Sequence, residues 1–153
     1  PPPSHPAAIP ARNLPAHALV RSRKTTDRIQ QLSRGATLQP DSPAAQVRLG
    51  AGQLLGGQGD AASQHMDTAQ ELSPEFQQAD ILLVLNHLQK RDFAAAIEAA
   101  KAYQRRHLTS VTPYNLLGKV YQEAGQTEEA KTSFHRALSL ESGDPGANHN
   151  LAQ

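Results

Sequence analysis

Three alanines, Ala62, Ala96 and Ala130, stand 34 residues apart, and three leucines, Leu49, Leu83 and Leu117, keep the same step. Two steps separate Gly50 from Gly118, and one step separates the pair Leu38–Pro40 from Leu72–Pro74. Stepping forward once more from Leu117 and Gly118 reaches Leu151 and Ala152. A register of this length kept without insertion is the mark of stacked supersecondary units. Each unit has an apolar face that only a neighbour can cover, so every unit must present the same residues at the same places. A helical bundle without repeats has no reason to hold such a step.

The unit is clearest near its last copy. Tyr114, Leu117, Gly118 and Tyr121 follow i, i+3, i+4, i+7 spacing and share one helix face. Gly125 interrupts the pattern as a residue free to take positive φ at a helix end. A second face then follows in Ala130, Phe134, Ala137 and Leu138. Gly118 and Ala130 leave room for two backbones to approach, and Tyr121 and Phe134 fill the volume around them. This order of aromatic, Leu-Gly, Tyr, Ala, aromatic, Ala resembles the tetratricopeptide repeat. One position departs from it: Ser142 stands where the family usually has proline. The resemblance implies an all-α solenoid of antiparallel helix pairs wound into a right-handed superhelix.

The register divides the chain. Residues 1–25 read as a proline-rich, disordered tail holding Pro1, Pro2, Pro3, Pro6, Pro10 and Pro15, because proline at that density stops helices and favours extended conformations. The basic cluster Arg21-Ser22-Arg23-Lys24 reads as a solvated lead-in to the first helix. The array occupies 26–153: a partial repeat over 26–42, repeats over 43–76, 77–110 and 111–144, and the first helix of a further repeat over 145–153. In the partial repeat, Ile29, Leu32 and Ala36 share one side of a helix from about Thr26 to Thr37. Ser42-Pro43, Thr112-Pro113 and Asp144-Pro145 read as helix openings, and Asp60, Asp92 and Thr127 as caps of the second helices.

Composition removes several classes of function. The net charge is +1, which argues against a nucleic-acid binder that works by neutralising phosphates. Cations are concentrated early: residues 1–42 hold Arg12, Arg21, Arg23, Lys24, Arg28 and Arg34 against Asp27 and Asp41. Without cysteine there are no disulfides, thiolate metal sites or cysteine nucleophile. No apolar run is long enough to cross a membrane, so direct insertion of this segment is not expected. The seven histidines form no HxxxH or HExxH pair, so no metal and no cofactor are expected. Neither a phosphate loop nor a GxSxG elbow is present, and the glycines of Gly50–Gly59 lie in and after a helix rather than after a strand. The expectation is a non-enzymatic protein. Because the sequence lacks an initiator methionine and a signal-peptide apolar region, it reads as a fragment or processed product of a longer one.

The family resemblance also implies a site. In such arrays the first helix of each pair lines a concave groove that holds peptides. In this register the groove residues are Val47, Ala51 and Leu54, then Gln78, Ile81, Leu85 and Leu88, then Asn115, Lys119 and Gln122, and finally His149 and Gln153. Some family members clamp a terminal carboxylate there with lysine, arginine and asparagine. Only Asn115, Lys119 and Asn150 are available for this here, so the clamp is incomplete. The wording of residues 36–153, in stretches such as Ala79-Asp80-Ile81-Leu82-Leu83-Val84-Leu85 and Asn115-Leu116-Leu117-Gly118, is similar to the large bacterial tetratricopeptide lipoproteins of exopolysaccharide export and the PEP-CTERM system. That likeness implies a scaffold binding a protein or peptide at the periplasmic side of the outer membrane, with the cytoplasm as the alternative compartment. The other open reading is the substrate-recruiting arm of a larger transferase.

Overall fold

A computed structural model describes residues 16–143 of the chain. The rest of the proline-rich tail, and the helix expected from Pro145 with His149 and Gln153, lie outside the described residues. Seven α-helices and no strands make up the described part: α1 (Ala16–Leu38), α2 (Pro43–Leu55), α3 (Gly59–Leu72), α4 (Gln77–Gln89), α5 (Phe93–Arg106), α6 (Val111–Glu123) and α7 (Thr127–Glu141). They follow one another as antiparallel pairs, α2 with α3, α4 with α5 and α6 with α7, and α1 packs on α2 as the second helix of an earlier unit. Each second helix also packs on the first helix of the next pair, so the core runs along the stack without a single centre.

The recurring small residues do what the register requires of them. Ala62, Ala96 and Ala130 are all buried, as are Leu49 and Leu117, while Leu83 is half-buried. At Gly118 a Cβ would lie 2.7–2.9 Å from three ring carbons of Phe134, so glycine is what lets α6 and α7 approach. Gly50 plays the same part against Met66, whose terminal methyl would overlap an added Cβ. Gly125 and Gly57 carry φ of 79° and 77° at the turns after α6 and α2, the left-handed conformation glycine adopts without penalty.

Position 114 of the repeat shows how one slot is filled three ways. Tyr114 is buried and its hydroxyl donates to the Leu108 carbonyl at 3.1 Å. One step earlier the slot holds Asp80, also buried, which accepts from Gln70 Nε2 at 2.8 Å and pairs with Arg106. Two steps earlier it holds Gln46, bonded through Nε2 to the Pro40 carbonyl at 3.1 Å and through Oε1 to His65 Nδ1 at 2.8 Å. Tyr114 and Gln46 satisfy their polar atoms against the preceding connection or the neighbouring second helix, whereas Asp80 does so at Oδ1 alone.

Several local expectations are corrected. α1 begins at Ala16, so the boundary drawn at residue 25 falls inside a helix and the basic cluster is helical. Between Pro15 and Pro40 no proline interrupts the chain, and Ala18, Thr25, Ile29, Leu32 and Ala36 form one continuous packing stripe. Asp60 is in the first turn of α3 rather than at its cap, which is Gln58 and offers no side-chain bond. Thr127 likewise follows the cap, Gln126, and α6 opens at Val111 after Ser110, one residue ahead of Thr112-Pro113. Ser42 and Asp92 do cap, accepting from the Ala45 and Ala95 N–H groups at 3.2 Å.

Candidate functional site

The first helices of the pairs, α2, α4 and α6, form one side of the stack, and α2 touches α4 directly. Helical spacing brings Leu54, Ile81 and Leu85 to this side as half-buried residues, with Gln78, Asn115, Lys119 and Gln122 exposed beside them. Two residues expected in the groove are elsewhere. Val47 is buried in a core cluster with Met66, Ala69 and Ala79. Leu88 is buried in another with Val84, Ala96, Ala100, Leu117 and Val120. Both face inward because a neighbouring second helix supplies enough apolar surface to cover them. Leu85 also packs on that second cluster, so only part of it is open. His149 lies outside the described residues.

Sequence reading missed Leu55, the last residue of α2, which is 79% exposed. It adjoins a cleft of about 350 Å³ between α1 and the end of α2, lined by Val20, Arg21, Lys24, Arg28, Ile29 and Gly52. The signal was the Leu54-Leu55 pair at a helix end, of which only one residue can turn toward the stack. The groove side therefore runs from Leu54 and Leu55 at the end of α2, over Ile81 and Leu85, to a polar end at Asn115 and Lys119. Lys119 has no carboxylate within ion-pair distance among the described residues.

The buried polar groups serve packing. Burial holds the His65 imidazole below its ordinary value of 6.5, and burial pushes the phenols of Tyr103 and Tyr114 up. Tyr103 donates to Gln77 Oε1 at 2.7 Å, tying α5 to the start of α4. Among the described residues no group of three His, Asp or Glu side chains is placed to hold a metal ion, and no helix is long and apolar enough to cross a membrane.

Stacked antiparallel pairs in a fixed register, with an open side made of first helices, define a helical-repeat solenoid. Residues 111–144 match the tetratricopeptide repeat family, and the described part of the chain has the tetratricopeptide-repeat fold. Its fold is similar to that of MamA. One crystal structure of MamA is 24% identical with a TM-score of 0.66, over 78% of this chain and 70% of that one. A second, of the MamA protein, is 24% identical with a TM-score of 0.67, over 77% and 64%. MamA of MSR-1 is 20% identical with a TM-score of 0.63, over 82% and 72%. At these identities the likeness is one of fold. No curated protein matches the chain.

Proposed function

We propose that the array is a non-enzymatic scaffold that captures a peptide segment of a partner protein along the side formed by α2, α4 and α6. The observation that carries this reading is the sequence of surfaces along that side. Leu54, Leu55, Ile81 and Leu85 offer apolar area that the chain covers only in part, and Asn115 and Lys119 follow as exposed polar groups. Partly uncovered apolar residues rimmed by polar ones suit an extended or helical peptide with apolar side chains and an acidic group. A sugar would find too few polar groups there, and a nucleic acid too few cations. The likeness of the repeat wording to export lipoproteins supports placing this work at the bacterial envelope.

The test is selection of displayed random peptides on the purified chain. Enrichment of peptides that carry several leucines or isoleucines and a single aspartate or glutamate is expected. Leu55→Asp with Lys119→Glu should abolish their capture while the far-ultraviolet circular dichroism stays unchanged, since neither side chain is in the core. Capture of the enriched peptides by that folded variant at wild-type strength would move the site off this side.

A further inference from the structure

The second-helix side carries a different feature. From residue 59 to 143 the chain has eight lysines and arginines against eleven aspartates and glutamates, so cations are in the minority there. Four of the eight are already engaged: Lys90 with Asp60, Arg106 with Asp80, Lys131 with Glu128, and Arg91 over the Phe93 ring. Lys119 is on the groove side. The three that remain, Lys101, Arg105 and Arg136, all line one cleft of about 380 Å³ between α5 and α7. Among the described residues none of the three has a carboxylate within ion-pair distance.

The cleft is built from three helices. Lys101 and Arg105 are one turn apart on α5, Arg136 reaches in from α7, and the floor is the Tyr114, Leu117 and Tyr121 face of α6. That face is turned well away from Asn115, Lys119 and Gln122, so the cleft and the groove are separate surfaces. Gln104 and Thr132 add polar atoms, and Glu129 is the single acidic residue in the lining. Arg136 stands near enough to the Tyr114 phenol for its charge to favour the ionised form, against the larger effect of burial. Three unpaired cations converging on a half-apolar floor select negative charge attached to something apolar.

We propose that this cleft binds an acidic segment of a partner protein, two or more carboxylates flanking an apolar residue, independently of the groove. The carboxylates take Lys101, Arg105 and Arg136, and the apolar side chain rests on Tyr121. An excess of acidic groups elsewhere on α3–α7 repels the same segment from the rest of this side, so the cleft also sets where it lands.

The probe is a fluorescein-labelled Glu-Glu-Leu-Glu-Glu peptide, whose four glutamates suit the three cations of the cleft and whose single apolar side chain is too little for the run of apolar residues in the groove, followed by anisotropy on the full chain. Binding is expected that weakens with added salt and falls roughly tenfold or more in Arg105→Glu with Arg136→Glu, two exposed positions whose change leaves the fold intact. Leu55→Asp with Lys119→Glu should leave it unchanged, which separates this site from the groove. Tyr121→Ala, with the cations kept, should weaken the leucine peptide but not an all-glutamate one. Unaltered affinity in the charge-reversed variant would overturn the proposal, as would loss of binding in the groove variant. Displacement of the peptide by equimolar inorganic phosphate would overturn it too, by showing a site for any small anion.

Discussion

Replacing Arg106 by methionine tests the buried charge at the middle of the stack. The Asp80 side chain is 0% exposed, and Arg106 is its charged partner from the end of α5. Gln70 gives the carboxylate one hydrogen bond from α3. The second oxygen, Oδ2, has no hydrogen-bond partner, and neither does His107 Nε2, 3.9 Å away. Arg106→Met keeps most of the aliphatic stem and removes only the guanidinium, so packing is nearly preserved while the carboxylate is stranded. Breaking a buried pair from one side costs about 3–5 kcal/mol. The lower end applies here, because the Arg106 side chain is itself 35% exposed and the pair is not fully cut off from water. Adding Asp80→Leu to Arg106→Met removes the stranded charge. The same slot holds a whole tyrosine at Tyr114, so leucine has room, and the double variant should return to within about 1 kcal/mol of the parent. Urea denaturation followed by circular dichroism at neutral pH reads all three proteins. A single variant as stable as the parent, or a double variant no better than the single, would refute the view that Arg106 is what makes Asp80 tolerable.

Gly118→Ala drives a Cβ into the Phe134 ring and should destabilise, with overpacking of about 1–3 kcal/mol outweighing the roughly 1 kcal/mol that alanine gains in a helix. Gly35→Ala in α1 meets nothing within 4 Å and should stabilise by about 0.5–1 kcal/mol; thermal melts of the two should move in opposite directions. Ala130→Leu, at a position buried in register with Ala62 and Ala96, should cost about 1–3 kcal/mol, and an unchanged melt would contradict the register. For His65, burial disfavours the charged ring, so below pH 6.5 the unfolded chain takes up a proton that the folded one resists, and this contribution to stability is lost as pH falls. His65→Gln should flatten that part of the stability–pH curve, and an identical slope in the variant would remove His65 as its cause.

The repeat was legible because its defining residues are small or aromatic and act over short range. Gly118 with Phe134, and Ala130 between its helices, require no knowledge of the rest of the chain. Helix ends set by Ser42-Pro43 and Asp92 were equally local. What escaped was decided by neighbours. Val47 and Leu88 are at groove positions by register, yet each is drawn inward by a cluster drawn from more than one repeat. Asp80 gave no sign of burial in a run of leucines, since its partners come from α3 and from the end of α5. The cleft of Lys101, Arg105 and Arg136 exists only once α7 is laid beside α5. Charges far apart in sequence converge through the stacking of repeats, which periodicity alone does not reveal.

The most direct test of the scaffold reading is to map a bound peptide residue by residue. Amide chemical shifts of the labelled chain, recorded while a selected apolar–acidic peptide is added, should change at Leu54, Leu55, Ile81, Leu85, Asn115 and Lys119, and stay fixed along α3 and the outer face of α1. Changes confined to α3 and α1, with the first helices silent, would contradict it.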